Sequence, residues 1–164
     1  MNSALTLLQD ILLKQFGNTI SELKKDQECD DYFGYNFKIN SIKIKYRQAK
    51  ITPKKVGQFV TLWKRNNQNI TTPFDENDDF DYYIIATKED DKLGYFIFTK
   101  SILIEKNILT SAKKEGKRGF RVYPNWVTTT SNQAEKTKTW QNDYFIEIDN
   151  NIPNKTTKLL SLMT

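Results

Sequence analysis

Apolar residues open the chain at a helical interval. Leu5, Leu8, Ile11 and Leu12 recur at three and four, which predicts an amphipathic helix from about Ser3 to Phe16, ending near Gly17. The next stretch, "NTISELKKDQECDDYFG", is polar, and a short helix capped at Asn18 or Thr19, followed by a turn, fits it. The period then shifts to two. "NFKI" and "SIKIKYRQAKI" predict paired strands with a tight turn in "INSI". In the second strand Ile42, Ile44 and Tyr46 share one face, and Lys43, Lys45 and Arg47 the other. The alternation breaks at Gln48–Ala49–Lys50, as at a bulge or a functional strand end.

From Thr52 the pattern predicts a helix to Arg65. Thr52 suits an N-cap, Pro53 the first helical position, and Val56, Phe59, Val60 and Trp63 form a stripe. Lys54 and Lys55 would then sit at the positive end of the helix dipole, which disfavours them. A polar loop, "NNQNITTPFDENDD", precedes a predicted hairpin of "DYYIIAT" and "LGYFIF" turning at Glu89–Lys92. "TKSILIEKNIL" predicts a helix, and "GFRVYP" a strand stopped by Pro124. Asn132 and Glu135 have capping-box spacing for a helix to about Asn142. "YFIEI" is a last strand, and residues 149–164 form a tail with no assigned element. The expected architecture is α/β: one domain over residues 1–164, a mixed sheet with flanking helices.

Composition narrows the chemistry. The chain has 164 residues, enough for one real core, and a mean hydropathy of −0.66. No apolar run approaches a membrane span, and the N-terminus lacks a signal-peptide pattern, so a cytoplasmic location is expected. Cys29 is the sole cysteine and histidine is absent. This excludes internal disulfides and histidine-based nucleophilic pairs or metal sites, and argues against zinc. No phosphate-binding glycine fingerprint is present.

The net charge of +5 is sorted along the chain. Tyr32 to Phe74 holds nine cations and no acid, whereas Asp75 to Asp91 holds eight acids against Lys88. An anionic partner follows, and nucleic acid is the leading candidate. The expected backbone contacts are Lys43, Lys45, Arg47, Lys50, Thr52, Lys54, Lys55, Gln58 and Arg65. Lys117, Arg118 and Arg121 in "KKEGKRGFRVYPNW" form a second arm, with Tyr123 and Trp126 placed to stack on bases. The plain alternative is a solvated basic surface with packed aromatics.

The acidic run "DENDDFD" fails as a calcium loop, since Phe80 and Ala86 stand where glycine and glutamate belong. Asp79 or Asp81 could hold magnesium in a nuclease, with Lys50 or Lys100 assisting. The required Asp/Glu-x-Lys triplet is poorly met. Glu22-Leu23-Lys24 reads as helix, Glu135-Lys136-Thr137 lacks the lysine, and Asp90-Asp91-Lys92 is a hairpin tip. Neither a catalytic set nor a resident metal or cofactor is therefore expected, magnesium entering only under the nuclease alternative. A third reading is a sensor of a small anionic or aromatic ligand, built on Trp126, Trp140 and the arginines.

"YRQAKITPKKVGQFVTLWKR", "GYFIF", "GKRGFRVYPNW" and "QAEKTKTWQNDYF", in that order, resemble the MepB family over about residues 33–148. The loop "NNQNITTPFDEND" departs from the family in lacking a glycine. In staphylococci the resemblance implies an operon shared with a MarR-type regulator and a multidrug efflux pump, with no established enzymatic activity. It also implies a core like that of restriction endonucleases, which does not by itself supply catalysis. Neither DNA over RNA, nor a sequence preference, nor an oligomeric state follows.

Overall fold

The computed structural model describes residues 2–149 and, as backbone, 152–153. Helix α1 (Ser3–Phe16) forms as its periodicity predicts. Asn2 Oδ1 caps it by accepting from Leu5 N at 3.0 Å, and Gly17 ends it at φ 67°, a conformation that favours glycine. Ala4, Leu5, Leu8, Ile11 and Leu12 are its buried stripe.

The next segment is not a helix. It forms strand β1 (Ile20–Lys25) and a 3-10 helix, Gln27–Tyr32, capped by Asp26. Only Ile20 of β1 packs against the core, and the strand pairs on one side alone. Its exposed Glu22, Lys24 and Lys25 guard an open sheet edge. A polar sequence with one apolar anchor gains more from pairing with β2 (Tyr35–Ile39) than from an unsupported helical turn.

Strands β2 and β3 (Ile42–Gln48) form the predicted pair, turning at Asn40–Ser41. Strand β3 runs parallel to β8 (Tyr82–Glu89), which turns through Asp90–Asp91 into β9 (Lys92–Thr99). β11 (Phe145–Asp149) and β12 (Ile152–Pro153) complete a seven-stranded sheet ordered β1-β2-β3-β8-β9-β11-β12, antiparallel except at β3/β8. The mixed sheet with flanking helices is thus present. Beyond residue 149, all of the tail but β12 lies outside the described residues.

The segment read as the Thr52 helix is the largest correction. It forms β4 (Lys50–Ile51), a turn, β5 (Gln58–Thr61) and β6 (Trp63–Arg65). Gln58, Val60 and Leu62 are buried in alternation, so the true period is two. β5 sits between β4 and β10 (Gly119–Val122), with Val60 opposite Phe120, while β6 pairs β7 (Thr71–Pro73). Gly57, at φ 84°, lets the turn close: a Cβ there would lie 2.7 Å from the Tyr123 ring. Long-range pairing of β-branched residues overrides the local stripe. The break at Gln48–Lys50 marks where the chain leaves the large sheet for the small one, Ala49 N still donating to Ala86 O at 2.9 Å.

These sheets sandwich a core. One face of the large sheet packs on α1 through Ile44, Tyr46, Ile84 and Tyr95. The other carries Tyr83, Ile85, Phe96 and Phe98 against Val60, Leu62, Phe120 and Val122, closed by Ile102 and Leu103 of α2 (Lys100–Glu105). α3 (Asn132–Asn142) forms where predicted, but its cap is Ser131, whose Oγ accepts from Ala134 N at 3.1 Å.

Candidate nucleic-acid interface

Of the three cations expected on a phosphate-facing strand, Lys45 and Arg47 lie on the covered part of the second face of β3, whereas Lys43 at its start is 41% exposed. Arg47 is 1% exposed; its Nη2 donates to Asp26 Oδ2 and its Nη1 to Tyr46 O. Lys45 is 8% exposed, donates to Asn36 Oδ1 at 3.1 Å and stands 4.3 Å over the Phe74 ring. Burial first, and the nearby Arg47 second, push its ammonium down to about 8. Lys43 is ion-paired with Asp79, and hydrogen bonding to that carboxylate raises its pKa. Alternation separated the faces correctly, but at Lys45 and Arg47 both faces of the strand are covered. Lys45 and Arg47 are therefore structural cations, and Lys43 is already neutralised.

The turn after β4 presents the exposed Lys54 and Lys55 without a helix behind them. Its brace is Arg121, whose Nη2 donates to Thr52 Oγ1 at 2.6 Å and whose Nη1 reaches Val56 O and Gly57 O at 3.3 and 3.4 Å. Thr52 is consequently a partner of Arg121, not a helix cap. Gln58, expected to face a ligand, is 1% exposed, with Nε2 bonded to Lys88 O. Lys50 lies 4.7 Å over the Tyr32 ring. Arg65 bonds Asn69 O and rests over Trp63, away from the Lys55 turn in sequence and sheet. Arg118 is bound to Thr71 O.

What gathers is a cleft of about 650 Å³ between β10 and α3. Lys55, Lys106, Lys117 and Arg121 line it, with Phe120, Tyr123 and Trp140 among them and no carboxylate in the lining. The helix is fastened there by Gln141, fully buried, which accepts from Tyr123 N at 2.8 Å and donates to Arg121 O at 2.9 Å. The amide thus extends the hydrogen bonding of β10 and fixes the cleft's width. Lys106, 5.5 Å from the Trp140 ring centroid, escaped sequence reasoning because it follows α2, far along the chain from the other cations. Only its pairing with an aromatic platform marks it, and that pairing exists in space alone.

The acids of the run are engaged in separate local contacts. Asp78 binds Lys64 at 2.6 Å and accepts from Asp75 N; Asp79 holds Lys43; Asp81 Oδ2 accepts from Lys43 N at 2.8 Å. Lys100 Nζ donates to Asp78 O, and Lys50 belongs to the small sheet. Lys43 holds the Asp79 carboxyl below its ordinary range. Among the described residues no three carboxylate or thiol side chains are grouped to hold a metal. Nor is any described helix long and apolar enough to cross a membrane.

Fold and cleft together define a mixed α/β protein with a basic, aromatic-lined cleft. The MepB-like family profile matches residues 26–147, and the chain belongs to that family. A crystal structure of MepB is similar at 33% identity and a TM-score of 0.78, over 90% of this chain and 97% of that one. A bacterial homing endonuclease aligns at 15% identity and a TM-score of 0.47, over 86% and 88% of the two chains. A search of curated proteins finds no match.

Proposed function

We propose that the protein binds nucleic acid, with the strand's backbone in the cleft between β10 and α3. One observation carries this: four cations line the cleft and no carboxylate opposes them. Lys55, Lys106 and Lys117 offer flexible ammonium groups to phosphate, whereas Arg121 is held rigid by Thr52 and the turn carbonyls. Tyr123 and Trp140 supply ring faces on which bases stack.

The number of contacts sets the salt dependence. Four neutralised phosphates give a log–log slope of about −3 on single strands and about −4 on duplex DNA. The basic stretch taken whole, with six to ten contacts, would give about −5 to −9. Fluorescence anisotropy of labelled single-stranded DNA, duplex DNA and RNA across a salt series separates these cases. Lys55→Glu with Lys117→Glu should abolish binding at moderate salt while the thermal midpoint holds. Unchanged affinity in that folded double variant would remove the cleft from the proposal.

A small anionic aromatic ligand is the second reading. The cleft volume lies within the usual range for ligand pockets, and Trp140 lines it. A thermal shift with nucleotide monophosphates, and none with oligonucleotides, would favour it.

A further inference from the structure

A second hollow, of about 310 Å³, opens on the other side of the Lys55 turn. Lys55 lines both spaces, so a chain lying in the cleft has this hollow as its neighbour. Its chemistry is different. Ile51 and Val56, both exposed, make apolar walls with Val127 and the Trp126 ring. Gln58 belongs to the lining as well, and its Oε1 is buried with no hydrogen-bond partner among the described residues. The hollow's carboxylate is Glu89, whose Oε2 accepts from Trp126 Nε1 at 2.7 Å. A phosphate is repelled by that carboxylate, and a plain hydrocarbon would leave it unserved.

We infer that this hollow takes one unpaired base, and that Glu89 makes it select guanine; the inference rests on the nucleic-acid reading above. Apolar walls and an indole suit a flat heterocycle. The acceptors decide which one. A carboxylate held by an indole N–H is fixed in orientation and keeps lone pairs on both oxygens. Guanine alone carries two adjacent donors, N1–H and N2–H₂, on its Watson–Crick edge, and so meets a carboxylate with two parallel charge-assisted hydrogen bonds. Adenine and cytosine place a ring-nitrogen acceptor beside their amino group, against the carboxylate. Thymine and uracil flank one N–H with two carbonyls. Gln58 Oε1 is closed to solvent and its Nε2 is held by Lys88 O, so Glu89 alone supplies the acceptors that choose the base.

The test uses labelled oligothymidylate carrying a single central guanine, hypoxanthine or adenine, titrated by anisotropy against the intact protein and Glu89→Gln. The amide is isosteric and still accepts from Trp126, so the variant keeps its fold, which a melting curve checks. Guanine should bind about tenfold tighter than adenine or hypoxanthine, the latter lacking the N2 amino group. In Glu89→Gln that preference should fall to about twofold, with unsubstituted oligothymidylate bound as before. Equal affinities for all three oligomers overturn the guanine site and leave the cleft standing. So does a guanine preference that survives Glu89→Gln. No binding of any oligomer overturns both readings.

Discussion

Removing the Asp26 carboxylate should cost more stability than any change at an exposed cation. Arg47 is 1% exposed on a central strand, and Asp26 is its carboxylate partner. Its Nη1 reaches only Tyr46 O, and Nε has no partner among the described residues. Asp26→Ala therefore strands a buried guanidinium, which carries a penalty of about 3–5 kcal/mol. For a chain of 164 residues each kcal/mol shifts the melting midpoint by about 2–4 °C, so a fall of about 6–20 °C is expected. Replacing both partners, Asp26→Leu with Arg47→Met, removes the stranded charge and should recover most of that loss. Urea unfolding of the two variants, read by tryptophan fluorescence, gives the difference directly. Asp26→Ala costing less than about 1 kcal/mol would mean that Arg47 finds water or another acceptor, and that β3 is open to solvent at that position. The same experiment separates roles. If Arg47 met phosphate, the double variant would lose nucleic-acid affinity; as a structural cation it should not.

Lys45 adds a pH signature. Its folded pKa of about 8 lies below the ordinary 10.5, so the unfolded chain binds the extra proton between those values. Stability should therefore rise with pH from about 8 to about 10.5 relative to Lys45→Met, and that variant should melt higher than the parent at pH 7; a lower midpoint would refute the buried-charge account. Gly34→Ala would place a Cβ 2.7 Å from Cys29 Cβ and 2.9 Å from Arg47 Nη1, a clash with a loss of about 1–3 kcal/mol by urea unfolding, and a neutral result would show that the 3-10 helix moves freely. With magnesium, plasmid DNA should stay intact; nicking that Asp81→Asn abolishes would establish the nuclease alternative.

Elements whose information is local were readable. The stripe of α1, the β8/β9 hairpin and the alternation of β10 each carry their own period and stop signal. The Thr52 segment misleads because its helical spacing is a coincidence of Phe59, Val60 and Trp63 across a strand and its exit. Its pairing partner, β10, lies some sixty residues away. Lys54 and Lys55 were the local warning, since two cations beside free N–H groups disfavour the helix that the stripe suggested. For β3 the sequence reveals two faces but not that Asp26, at the cap of the 3-10 helix, and the Phe74 ring cover Arg47 and Lys45 on the second. The arm at Lys117 and Arg121 and the α3 face at Thr137 and Trp140 do meet at the cleft, joined by Lys106 from a segment that no motif marked.

The charge sorting along the chain is partly undone in space. Of the cations between Tyr32 and Phe74, Lys38 pairs with Glu22, Lys43 with Asp79, Arg47 with Asp26 and Lys64 with Asp78. Asp78 and Asp79 of the acidic run thus serve as counter-charge to Lys64 and Lys43, while Glu22 and Asp26 come from the segment before the basic stretch. Lys50, Lys54, Lys55 and Arg65 make no ion pair among the described residues, and of these Lys55 alone lines the cleft. The unneutralised charge at that cleft comes from three separated segments, at Lys55, Lys106 and Lys117–Arg121. It is the fold that collects them. A basic cluster drawn from remote segments, with no carboxylate in its lining, is not what the dense run between Tyr32 and Phe74 would build by itself. It is the arrangement that the proposed binding of an anionic polymer in the cleft, and not on strand β3, requires.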